Sequence, residues 1–159
     1  MRKWTEGPIL GVDVLELRRF TDHRGWLSEL FRSDDPDTLP NPEMGYLSVT
    51  HPSVSRGPHE HKDQTDRFAF FDGMYRVFLW DDRDESPTYG HRMVFVAGAD
   101  HPLQVVIPPG VVHAYRNDGP SDAFILNFPD ALYAGKNKQE AVDEIRHEDM
   151  TDSPFRMDM

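Results

Sequence analysis

The sequence predicts an all-β domain, a sandwich or barrel of short strands around one core. Three observations carry this. Short apolar or alternating runs recur between Gly, Pro, Asp and Asn punctuation, the pattern of a sandwich or barrel. Asp72-Gly73 separates two such runs, as in a hairpin. Only residues 136–146 read as helix, and their apolar residues are sparse.

Taken in order, residues 9–20 have strand-like composition and Thr21-Asp22-His23-Arg24-Gly25 is a turn. Trp26 to Phe31 alternates, with Glu29 on the face of Leu27 and Phe31. A carboxylate on an apolar strand face is at a rim or committed to a partner. Residues 33–45, rich in Asp, Pro and Asn, form a loop. Further strands are expected over 46–54, 68–71, 75–80, 92–96, 103–107, 111–116 and 123–128. A short surface helix is expected over 136–146. Residues 1–8 and 148–159 are expected to be peripheral, the tail loosely ordered.

The 159 residues suffice for one domain spanning 1–159, with no repeat or linker. Seventeen basic residues against 28 acidic ones give a net charge of -11, which argues against nucleic acid and anionic membranes as partners. There is no cysteine, so disulfides and thiolate metal sites are excluded, and a cytoplasmic setting fits. The N-terminus lacks the apolar run of a signal peptide, and no stretch is long enough for a membrane span.

The chemistry concentrates in Arg56-Gly57-Pro58-His59-Glu60-His61 and the residues just after it. On an extended segment His59 and His61 point the same way. Asp66 comes five residues later, and His113 lies beyond a Pro108-Pro109-Gly110 turn. Imidazoles and a carboxylate suit a borderline divalent metal. The plainer reading is a hydrogen-bonded polar cluster with His59 as a base. If a metal takes His59, the base is another group, with Lys62, Tyr46 and Tyr115 as candidates. The residues alone leave both readings open.

His-x-His, Asp66 and Gly73, followed by Pro108-x-Gly110-x-x-His113-x-x-x-Asn117, resemble the two signatures of the cupins, with Asp66 where glutamate is usual. The resemblance implies a double-stranded β-helix, a jelly-roll barrel whose interior can hold a ligand. It implies His59, His61, Asp66 and His113 as ligands of a divalent metal (Zn, Mn, Ni or Fe), with no organic cofactor.

Over residues 9–133 the chain further resembles the dTDP-4-dehydrorhamnose 3,5-epimerase family. The pieces are Asp22-His23-Arg24-Gly25-Trp26-Leu27-x-Glu29, Arg56-Gly57-x-His59, Asp82-Arg83 with Ser86-Pro87-Thr88-x-Gly90, and Ile107-Pro108-Pro109-Gly110-x-x-His113-Ala114. The resemblance implies a carbohydrate epimerase or isomerase of deoxysugar biosynthesis, with a nucleoside-diphosphate sugar as substrate and a strand-exchanging homodimer as the assembly. His59 becomes the catalytic base, Arg56 the diphosphate contact, and Arg24 and Glu29 nucleotide contacts; Tyr46 joins this substrate-binding set. The chain departs from the family at three places. Asp66 replaces an enolate-stabilising lysine, Leu126 matches the tyrosine general acid, and His61 replaces a glutamine. The aspartate that pairs with the base has no evident match. These changes convert the pocket towards the metal type of cupin, so metal-assisted isomerisation joins the expectation. A metal-dependent oxygenase and a non-catalytic sugar-binding protein are the alternatives.

Overall fold

A computed structural model describes residues 3–34 and 40–158. Residues 35–39 of the expected loop lie outside the described part.

Thirteen strands run through these residues. They are β1 (Thr5–Glu6), β2 (Asp13–Glu16), β3 (Phe20–Asp22), β4 (Gly25–Leu27), β5 (Tyr46–Thr50), β6 (Ser55–Glu60) and β7 (Asp66–Phe70). After these come β8 (Met74–Asp81), β9 (His91–Gly98), β10 (Leu103–Ile107), β11 (Val111–Asn117), β12 (Ala123–Asn127) and β13 (Ile145–Arg146). One sheet has the order β1-β9-β8-β11-β6-β13 and the second β2-β10-β7-β12-β5, while β3 and β4 form a separate hairpin. This is the expected jelly-roll arrangement, as two facing sheets rather than a barrel closed by hydrogen bonds.

The core lies between the sheets. Phe68, Phe70, Val105 and Ile125 from one face Tyr75, Val77, Leu79 and Tyr115 from the other. Strand β8 is apolar on both faces because its second face is covered too. Phe78 and Trp80 pack outward with Val112 and Ala114 beneath Phe155, and Trp4 closes on the same cluster. The tail expected to be loose is therefore anchored at Phe155, which is 4% exposed. The hairpin β3–β4 lies over the other sheet, where Trp26 meets Phe71 edge-on and Phe31 meets Phe128.

The expected C-terminal helix does not form. Among the described residues the helical content is a 3-10 turn at Lys136–Lys138, and Asn137 and Lys138 there have φ of 56° and 59°. A segment with so few apolar residues has no helical face to bury. Its backbone is satisfied elsewhere: Ile145 and Arg146 add an outer strand to β6, and the Asp143 carboxylate accepts from the amides of Lys62, Asp63 and Gln64 at 2.8, 2.8 and 3.0 Å.

The Asp-Arg…Ser-Pro-Thr piece is structural. Asp81, fully buried, accepts two hydrogen bonds from the Arg83 guanidinium at 2.8 Å each, one from Ser86 at 2.6 Å and one from Thr88 at 2.5 Å. Gly110, at φ 76°, lets the Arg83 stem pack where a Cβ would lie 3.0 Å from Cγ. Burial alone would raise the Asp81 carboxyl, but hydrogen bonds from Arg83, Ser86 and Thr88 outweigh it and hold the group well below the usual carboxylate range. Asp81→Asn is expected to cost about 2–4 kcal/mol of unfolding free energy at neutral pH, measured by urea denaturation. Because the folded carboxyl is the stronger acid, its contribution is complete above the unfolded carboxylate pKa near 4 and fades as pH falls below it. The gap between wild type and variant should therefore shrink in acid.

Candidate active site

A cavity of about 890 Å3 opens between the sheets, floored by β6 and β7 and walled by the 129–148 segment. Strand β6 delivers His59, and His61 comes just beyond its end; both line the cavity, with rings 5.8 Å apart. Strand β11 pairs with β6 so that His113 sits opposite His59, rings edge-on at 4.4 Å. Asp66 heads β7 and is 1% exposed. The four residues predicted from the sequence thus converge.

Their hydrogen bonds fix how they face one another. Oδ1 of Asp66 accepts from the Gln64 and Asn127 side-chain amides, both at 2.8 Å. Its Oδ2 lies 3.2 Å from Nε2 of His61 and 3.2 Å from Nε2 of His113. Nδ1 of His61 donates to the Asp143 carbonyl, and Nδ1 of His113 donates to the Val111 carbonyl at 3.1 Å. Both rings therefore turn Nε2 towards Asp66.

Charges follow from this. Burial favours a neutral Asp66, but the His113 and His61 imidazoles beside it outweigh burial and push the carboxyl far down. Burial likewise opposes a charged His61, yet Asp66 and then Asp143 raise it to about 9. His59 is pushed down to about 2, by burial first and then by the neighbouring His113. It is therefore neutral throughout the physiological range, the form that can accept a proton, although burial weakens it as a base.

The structure also supplies what the sequence did not show. Nδ1 of His59 is buried without a hydrogen bond, and the nearest carboxylates are Glu144 at 3.8 Å and Glu148 at 4.0 Å. Arg146 bridges these two acids at 3.2 and 3.7 Å. They occupy the side of the ring where a base needs an orienting acid. Their only sequence signal is an acid four residues from another across an arginine, in a segment with the composition of a surface helix.

Of the predicted substrate contacts, Tyr46 and Arg56 line the cavity. Tyr46 accepts a hydrogen bond from Asn127 at 3.1 Å, and Arg56 is braced by Thr50 at 3.1 Å and the Val49 carbonyl at 2.7 Å. Arg24 and Glu29 do not line it. Arg24, at the hairpin tip, pairs with Asp22 at 2.5 Å, and Glu29 lies 3.5 Å from Arg32. Both belong to the segment laid over the outer face of the β5-containing sheet. Leu126 is also turned away: on β12 the buried positions are Ala123, Ile125 and Asn127, so Asn127 faces Asp66. Tyr133, which no sequence motif marks, lines the cavity wall.

The sequence profile described as dTDP-4-dehydrorhamnose 3,5-epimerase matches residues 6–149. The chain belongs to that family. A probable low-salt glycan biosynthesis epimerase, Agl13 of Haloferax volcanii, is 38% identical over 134 residues, covering 83% of this chain and 85% of its own. The spore coat polysaccharide biosynthesis protein SpsL of Bacillus subtilis is 36% identical over 125 residues, covering 79% and 82%. A solved structure named dTDP sugar isomerase, from Desulfovibrio desulfuricans, superposes with TM-score 0.80 at 25% identity, covering 93% of this chain and 91% of that one. Membership makes the chain a carbohydrate epimerase or isomerase.

Proposed function

We propose that this chain epimerises a nucleotide-linked keto-deoxysugar by removing the proton next to the carbonyl, with His59 as base. The observation that carries the reading is His59 itself. It is a neutral imidazole at the cavity floor, with two carboxylates on the Nδ1 side and a phosphate-matching arginine, Arg56, in the same cavity. The ring takes the α-proton and the C–H electrons pass to the carbonyl oxygen as an enolate. Glu144 and Glu148 stabilise the imidazolium so formed, as a carboxylate behind a histidine base does. Reprotonation on the opposite face of the carbon inverts it. Tyr46 and Tyr133 are the phenols on the cavity walls that can donate that proton.

Arg56 offers bidentate hydrogen bonds to the diphosphate. Arg24 and Glu29 belong to the nucleotide end of the site of a second copy. The segment that carries them exposes Phe20, Trp26, Leu27 and Phe31, and the adjoining edge strand exposes Leu47 and Val49. This is an apolar face suited to a homodimer.

On this reading dTDP raises the melting temperature of the protein. Arg56→Ala should weaken dTDP binding by about 10-fold or more, with KM rising more than kcat falls. Absence of any dTDP-dependent shift in the wild-type protein would overturn the nucleotide-sugar assignment.

A further inference from the structure

We infer that His61, His113 and Asp66 form a divalent-metal site at the back of the cavity, and that His59 stands outside its coordination shell. The distances carry this. The facing atoms, Nε2 of His61, Nε2 of His113 and Oδ2 of Asp66, are held with both N–O separations at 3.2 Å. Nitrogen and oxygen ligands about 2.1 Å from a shared ion, at angles between octahedral and tetrahedral, lie roughly 3.0–3.4 Å from one another. All three histidines crowd together, one ring nitrogen from each within 4.8 Å of the others, so the rings that turn Nε2 to Asp66, those of His61 and His113, single out the ligand set.

The groups behind these ligands are those of a metal site. Each imidazole gives its Nδ1 proton to a backbone carbonyl, Asp143 for His61 and Val111 for His113. That leaves Nε2 of each ring to meet an ion, which would displace any proton there and, at His61, the Gln64 amide 3.2 Å away; carbonyls in this place set both tautomer and ring orientation. Asp66 is steadied the same way, its Oδ1 held by Gln64 and Asn127. A purely hydrogen-bonded cluster accounts less well for His113. Its Nε2 is buried and has no aligned hydrogen bond, although the Asp66 oxygen is 3.2 Å away. A buried polar atom left in this way is costly, and an ion at that point satisfies it.

His59 differs in what stands behind its ring. Its Nδ1 has no carbonyl behind it and faces Glu144 and Glu148 at 3.8 and 4.0 Å. Those acids suit a ring that gains a proton during turnover. Base and ion then occupy adjacent places, and one residue need not serve as both. Two imidazoles and one carboxylate with open positions fit a borderline ion such as zinc, manganese, nickel or iron. Bound there, such an ion would supply Lewis-acid polarisation of a substrate carbonyl. That role rests on the epimerase reading; the site itself does not.

The test uses the full chain, stripped with chelator and dialysed, then titrated with cobalt(II) chloride. Binding is read by visible absorption and by calorimetry. Expected is about one cobalt per chain with ligand-field bands in the visible, lost in His61→Gln and in His113→Gln, and kept in His59→Asn. Gln64→Ala, which loosens Asp66, should weaken binding by about 10-fold while leaving the protein folded. Each variant is checked for a wild-type circular dichroism spectrum, and Gln64→Ala decides the matter where a ligand variant fails to fold. No cobalt binding by the wild type, or loss in His59→Asn equal to that in His61→Gln, would overturn the assignment. Cobalt binding in a protein that exchanges no substrate hydrogen would uphold the site and refute the epimerase reading alone.

Discussion

His59→Ala is expected to slow solvent-to-substrate hydrogen exchange by about 100- to 10,000-fold, the range for loss of a positioned general base. The expectation rests on geometry and charge together. The ring lines the cavity, is kept neutral by burial and by His113, and has two carboxylates behind it to accept the positive charge of turnover. Binding of dTDP should survive, because Arg56 and Tyr46 are braced by Thr50, Val49 and Asn127 rather than by His59. Removing the orienting acids should have a smaller effect. Glu144→Gln alone leaves Glu148 beside the ring, so the double variant should fall further than either single one. Exchange is measured by proton NMR in D2O, with dTDP binding by calorimetry on the same samples. Equal loss of binding and exchange would mean that His59 holds substrate rather than removing a proton.

Gly57→Ala is expected to be the most damaging single-methyl change near the site. Gly57 has φ 78°, a left-handed conformation that costs a side-chain-bearing residue about 1 kcal/mol or more. A Cβ there would also lie 2.5 Å from the His113 carbonyl and 3.1 Å from Nδ1 of His59. The carbonyl is backbone within the β6–β11 pairing, so the strands must part where they carry the two histidines. The combined loss should be about 3 kcal/mol, at the upper end for single substitutions, with exchange activity falling as well. Gly90→Ala separates the two contributions. Gly90 has φ 82° but nothing within 4 Å of its would-be Cβ, so it should cost about 1 kcal/mol in backbone strain and leave exchange unchanged. Urea denaturation of the two variants, with exchange rates alongside, reads the difference.

The β architecture was legible because its signals are local. The apolar runs of β8, β10 and β12 mark strands whatever lies around them. The four-residue cluster was legible because His59 and His61 stand two residues apart, Asp66 follows closely and His113 comes after a recognisable turn. What escaped was set by distant partners. Residues 136–146 have helix-forming composition, but the edge of β6 and the amides after His61 claim that segment. Glu144 and Glu148 reach His59 only through this rearrangement, so no local pattern reveals them. Phe155 is one aromatic in a polar tail, and its burial depends on Trp80 and Trp4. Asp81 rather than Asp82 anchors the Ser-Pro-Thr loop because β8 turns Asp81 fully inward. The orientation of β12 was not readable: Phe124 and Leu126 are as apolar as Ala123 and Ile125, and only burial puts Asn127, not Leu126, on the inner face.

The most direct test is deuterium incorporation from D2O into a dTDP-linked 4-keto-6-deoxyhexose incubated with the wild-type chain, monitored by NMR. Protein-dependent exchange is expected at a carbon next to the keto group, abolished in His59→Ala and accompanied by inversion at that carbon. A nucleotide sugar that binds in the cavity and keeps all its protons, with wild type and His59→Ala indistinguishable, would contradict a proton-abstracting role for His59.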